Sequence, residues 1–104
     1  MANTRPNFRK LDVWHDGIEL VAEVDRLTST FPAHELYGLT AQLRRASVSV
    51  PANIAEGYGR TTRGEYLNQL SVAGGSLNEV ETLCIVCIRL GTAIRSRSMG
   101  SVLE

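Results

Sequence analysis

Four groups of residues in this 104-residue chain have types and spacings that could do chemistry. Cys84 and Cys87 stand three apart within Leu83-Cys84-Ile85-Val86-Cys87-Ile88. Redox or metal chemistry would need accessible thiolates with further ligands, and no neighbour supplies them, so buried, protonated thiols are the plainer reading. Glu56 and Glu81 could form a carboxylate acid/base or metal pair, as in a hydrolase or metalloenzyme. A bundle metal site usually adds histidine at helical spacing, and His15 and His34 lie outside such a pattern. Arg44, Arg45, Arg60 and Arg63 could contact the phosphates of a nucleic acid, opposed locally by Glu56. Solvated helix faces account for the same charges, each exposed pair contributing at most about 1 kcal/mol. Gly57-Tyr58-Gly59-Arg60 has neither a preceding strand nor a following Gly-Lys-Ser/Thr, so it reads as a turn rather than a phosphate loop.

A fifth group is better suited to structure than to catalysis. Arg45, Ser49 and Glu56 share one edge of a helix, with Asn53 nearer the seam and Glu81 beside the apolar stripe of the next helix. Partly buried, these groups need partners, and the expected contact is Arg45 with Glu81 or Glu56. No catalytic residue, metal site or cofactor is expected. The protein is read as non-enzymatic.

The elements that must position these groups are helical. Thr4, Pro6 and Asn7 precede a first helix of about residues 10–30, stopped by Pro32. A second runs from near His34 or Glu35 to Gly57, with Pro51 expected to bend rather than break it. Thr62 and Glu65 form a capping box opening a third helix over 62–90, with Gly91 as its stop. Leu36, Leu39, Leu43, Ala46, Val50 and Ile54 mark one seam, and Tyr66, Leu70, Ala73, Leu77, Val80, Cys84 and Cys87 another. Gly74 and Gly75, costly inside a helix, suggest close helix approach.

The apolar arcs are wider than one core-facing stripe. The first helix carries a line at Leu11, Trp14, Ile18 and Val21 beside another at Val13, Leu20, Val24, Leu27 and Phe31. Together they span roughly 200 degrees at about 100 degrees per residue, twice what a single core contact requires. The second helix has a back face of Tyr37, Ala41, Val48, Ala52 and Ala55. Self-association is therefore expected through Leu20, Val24, Leu27 and Phe31, with Tyr37, Val48 and Ala52 on the back face.

Composition narrows the function classes. Apolar residues are 43% and charged residues 21%, an ordinary globular balance that makes a single domain over 1–104 the expectation. Eleven basic against eleven acidic residues give zero net charge, which argues mildly against a dedicated nucleic-acid binder. No signal-peptide core is read at the start, and no run is read as approaching a membrane span, so the cytoplasm and no membrane partner are expected.

The order and spacing of several pieces carry a resemblance. They are Phe31-Pro32, Glu35-Leu36-Tyr37-Gly38-Leu39, Gln42-Leu43-Arg44-Arg45-Ala46, Val50-Pro51 through Gly57, and Arg60. Gly75-Ser76-Leu77 with Glu79, Glu81 and Thr82 completes the set. Over about residues 10–91 the chain resembles the small four-helix-bundle proteins encoded by intervening sequences of bacterial 23S ribosomal RNA genes. These are similar in turn to accessory variability proteins of retroelements. The resemblance implies an all-α, antiparallel up-and-down bundle of the four-helix type and a ring-like homo-oligomer, notably a pentamer. It also implies a possible nucleic-acid partner. The chain departs from that pattern after Gly91, where 92–104 reads as an atypical tail with a shortened or irregular fourth helix. The first expectation is thus an oligomeric scaffold or interaction module. A nucleic-acid-binding accessory protein is the alternative, and a carboxylate-based hydrolase or metalloenzyme is third.

Overall fold

The computed structural model describes residues 7–92, which are all-helical, with no strand among them. A short 3₁₀ turn at Phe8–Lys10 leads into α1, Asp12–Thr28. Another 3₁₀ turn at Ala33–Glu35 precedes α2, Leu39–Tyr58, and α3 follows over Arg63–Arg89. Three α-helices are present among the described residues. The expected short or irregular fourth helix falls after Thr92, outside them.

α2 lies in the middle of the sequence and of the packing. Both α1 and α3 pack along it, whereas the α1 and α3 backbones do not approach each other. The contacts run in reverse order: Gly17 meets Pro51 and Arg44 meets Thr28, while Ser49 meets Ser76 and Glu56 meets Gln69. Each neighbouring pair is therefore antiparallel, as short connections dictate.

Local sequence explains the boundaries. Thr62 caps α3, its hydroxyl accepting the Glu65 N–H at 3.1 Å, and Gly91 adopts a positive φ of 74° just past the C-terminal cap. α2 runs unbroken across Pro51. It starts later than expected, because Gly38 is non-helical at φ −109°, ψ −110° and separates the 3₁₀ turn from the helix. Leu36 consequently leaves the seam and is exposed.

Two adjoining clusters form the core. Val24, Phe31, Leu43, Ala46, Val80, Cys84 and Cys87 make the larger, with Leu20, Leu27, Leu39, Leu83 and Ile88 packed against it. Val50, Ile54 and Ala73 make the smaller, flanked by Leu11, Trp14, Leu20 and Leu70. The wide apolar arc of α1 is mostly consumed here, within the chain. Val24 and Phe31 are core residues, and Leu20 and Leu27 are half-buried against them, so these four are not a free association surface. Trp14 lies beside the core under Phe8, the ring centroids 5.2 Å apart.

Close helix approach occurs at Gly17 and Gly57, not at Gly74 and Gly75. A Cβ on Gly57 would stand 2.6 Å from Gln69 Cβ, and one on Gly17 would stand 3.1 Å from Pro51 Cβ. Gly74 and Gly75 face open space. α3 is also long and apolar enough, by length and composition, to cross a membrane, which the sequence reading did not anticipate. Core helices satisfy the same measure, and one face of α3 supplies Ala73, Val80, Cys84 and Cys87 to the core.

Candidate interaction surfaces

The arginines separate. Arg44 turns toward α1, where its Nε donates to Thr28 Oγ1 at 3.0 Å and its Nη2 stands 3.7 Å from Asp25 Oδ1. Arg45, one residue and about 100 degrees further round α2, is exposed and forms no ion pair among the described residues. Arg60 is held by Glu56 at 2.7 Å within the same turn. Arg63, at the start of α3, lies roughly 24 Å along the bundle from the level of Arg45, at 1.5 Å per residue from Glu79. The four do not make one basic patch.

The polar edge is only partly assembled. Ser49 and Ser76 hydroxyls meet at 2.7 Å across α2 and α3, and Asn53 Nδ2 donates to both the Ser49 carbonyl and its hydroxyl at 2.7 and 2.9 Å. Glu56 accepts from Arg60 and from Gln69 Nε2, which leaves it no part in an Arg45 contact. Glu81 is exposed on the opposite side of α3 from Ser76 and Glu79, as helical angles require. The expected contacts of Arg45 with Glu56 or Glu81 are therefore not formed. The two glutamates are also roughly 18 Å apart along the axis, counting from Gln69 at 1.5 Å per residue, too far to share a reacting atom.

What the sequence reading missed is a polar cleft. Tyr37, Gln42, Arg45, Ala46, Ser49, Ser76 and Glu79 enclose about 480 Å³ between α2 and α3. Gln42, Arg45 and Ser49 recur at three- and four-residue steps, a signal present in the chain but overlooked beside the stronger apolar seam. Tyr37 at its mouth is 92% exposed, and Val48 and Ala52 are exposed on the adjoining back face.

On the other side, the space between α1 and α3 is an apolar trough. Val13, Val50, Ile54, Leu70, Ala73, Gly74 and Leu77 line about 170 Å³ of it with almost no polar surface. Leu67, Leu77 and Ile85 remain exposed on α3, as does Val13 on α1. A third hollow of about 220 Å³ lies at the α2–α3 turn, where Tyr58 and Tyr66 meet edge to face at 5.9 Å beside Arg60 and Arg63.

The thiols are inert packing groups. Both cysteines are fully buried. Burial pushes the Cys84 thiol from 9.0 to about 11, with smaller contributions from Cys87 and Glu81, and burial with Glu35 raises Cys87. No buried polar side-chain atom lacks a hydrogen-bond partner among the described residues, so none is left waiting for a ligand.

Known proteins fit this architecture. A protein of unknown function from the S23 ribosomal protein family of Bacteroides thetaiotaomicron is structurally similar, with a TM-score of 0.75 at 25% identity. The match covers 88% of this chain and 84% of that one. No curated protein matches. The family model of the 23S rRNA-intervening sequence protein matches residues 9–99, and the chain belongs to that family.

Proposed function

We propose that this protein is a non-enzymatic, self-associating helical module, an oligomeric scaffold whose work is contact rather than reaction. The open apolar trough between α1 and α3 supports this best. Its floor of Val50, Ile54 and Ala73 is core, yet its walls at Val13, Leu70 and Leu77 have no helix laid over them among the described residues. A further helix there completes a bundle of the four-helix type, and in this proposal a second copy contributes it. Each large apolar side chain so covered contributes about 1.5–3 kcal/mol before association entropy is subtracted.

Sedimentation velocity at micromolar concentration tests the reading. The wild-type chain is expected to sediment as a species larger than the monomer, and Leu77→Glu, on a 44% exposed wall position, to shift it toward the monomer while remaining folded. A monodisperse wild-type monomer refutes the proposal. Leu27 does not offer a comparable probe position, because it packs against the core.

A second reading, a nucleic-acid-binding accessory protein, is favoured by one observation: the tyrosine pair and Arg63 beside the hollow at the α2–α3 turn. Tyrosine can stack on bases and arginine can meet phosphate. RNA binding that weakens steeply with salt, and is lost in Arg63→Ala, would favour it over the scaffold.

A further inference from the structure

We propose that the polar cleft between α2 and α3 binds a free, bulky α-amino acid as its zwitterion, with the carboxylate held by Arg45 and the cleft floor and the ammonium by Glu79. The site is separate from the apolar trough: Glu79 and Leu77 are about 200 degrees apart round α3. It therefore stands whether or not the chain self-associates.

What marks the cleft is the presence of both charges, not the lack of a partner for either one. Arg26, Arg63 and Arg89 also form no ion pair among the described residues. The hollow at the α2–α3 turn is lined by Arg60 and Arg63 and no acid, and the trough by apolar side chains and Gly74. Of these three cavities the cleft alone has a cation and an anion on its walls. Antiparallel packing sets their level. From the Ser49–Ser76 contact, Arg45 lies one turn back along α2 and Glu79 nearly one turn on along α3. At 1.5 Å per residue these are about 6 and 4.5 Å in the same direction, so the two charges stand on opposite walls at nearly one level. They form no ion pair with each other among the described residues, and the space between them is open.

The floor adds a donor. Asn53 Nδ2 donates to Ser49 Oγ at 2.9 Å, and the Ser49 and Ser76 hydroxyls share one hydrogen bond at 2.7 Å. Two hydroxyls carry two hydrogens, and that bond uses one. Whichever serine donates, the other hydrogen has no acceptor among the described residues, and both serines line the cleft. A ligand oxygen one turn from the Arg45 guanidinium can accept it.

These groups select the ligand's chemistry. A simple anion meets Arg45 and the hydroxyl but is repelled by Glu79, and a simple cation meets the reverse difficulty. An α-amino acid carries a carboxylate and an ammonium on one carbon, so each charge finds its counterpart through charge-assisted hydrogen bonds. The cleft's volume of about 480 Å³ falls within the range of small-molecule sites and leaves room for a large side chain. Tyr37, 92% exposed at the mouth, offers that side chain an aromatic face.

Amide NMR titration of the full chain with L-phenylalanine is the test. Saturable shifts at millimolar ligand are expected, concentrated at Gln42, Arg45, Ser49, Ser76 and Glu79. Phenylalaninamide lacks the carboxylate and N-acetylphenylalanine lacks the ammonium, and each should bind about tenfold more weakly. Arg45→Gln should weaken phenylalanine about tenfold without further weakening phenylalaninamide, because that derivative has already lost the group Arg45 holds. Glu79→Gln should act in the same way on phenylalanine and N-acetylphenylalanine. Both positions are exposed, so the circular dichroism of the variants should match the wild type. Should either variant fail to fold, the comparison of the three ligands on the wild-type chain decides alone. No saturable shift with phenylalanine, shifts centred on the trough, or equal affinity for phenylalanine and its two derivatives overturns the site.

Discussion

The two ends of this bundle are built from the same three helices but are finished differently. At one end the last turns of α1, the first of α2 and the last of α3 bury Val24, Leu43, Val80, Cys84 and Cys87 completely. At the other, the first turns of α1, the last of α2 and the first half of α3 enclose the smaller cluster of Val50, Ile54 and Ala73 and leave the trough open beside it. The closed end has Phe31 in its cluster and the partly buried Leu27, Leu83 and Ile88 packed against it, while Leu20 touches both clusters. The open end has Leu11, Trp14 and Leu70 packed beside its cluster, with Val13, Gly74 and Leu77 on the wall of the trough. Burial is complete at the closed end, and apolar surface stays open along the trough at the other.

The largest effect that could break this contrast is cavity formation. Leu43→Ala at the closed end should cost about 2–5 kcal/mol, read from a denaturant melt, whereas Leu77→Ala on the trough wall should cost under about 1 kcal/mol in dilute solution. Equal losses would mean that the trough is as well packed as the core. Gly57→Ala comes next. The 2.6 Å approach to Gln69 Cβ forces α2 and α3 apart, and overpacking of this kind costs about 1–3 kcal/mol. An unchanged melt would show that the helices separate there without loss.

The thiols sharpen the comparison through pH. Cys84 keeps its proton in the folded chain to about pH 11, above its ordinary 9.0, so the folded state binds more protons between those values. Stability is therefore full below about pH 9 and falls as pH rises through that window toward 11, and Cys84→Ser should flatten the fall. The smallest effect concerns the neighbouring arginines. Arg44→Ala should lose about 0.5–1 kcal/mol with its Thr28 and Asp25 contacts, and Arg45→Ala close to nothing in the monomer. A larger loss at Arg45 under monomeric conditions would place it in the fold rather than at a surface.

Several features of this protein were determined by the sequence itself, through interactions of short range. Helical steps of three and four marked Leu43, Ala46, Val50 and Ile54 and then Ala73, Val80, Cys84 and Cys87, all of which are buried. Thr62 and Gly91 bounded α3 because capping depends on residues within one turn. Cysteines inside an apolar run could be read as protonated packing groups for the same local reason. Tertiary structure decided the rest. Whether Arg44 or Arg45 meets an acid depends on which way α2 is rotated against α1, and a single residue changes that by about 100 degrees. Whether the second line of α1 is surface or core depends on how deeply Gly17 lets α1 settle onto Pro51. The glycines that permit close approach could not be told from Gly74 and Gly75 by composition, because only the position of the neighbouring helix separates a required absence of Cβ from an idle one. The cleft had the same origin: Arg45 and Glu79 are 34 positions apart in the chain, and only the antiparallel docking of α3 on α2 makes them two walls of one site.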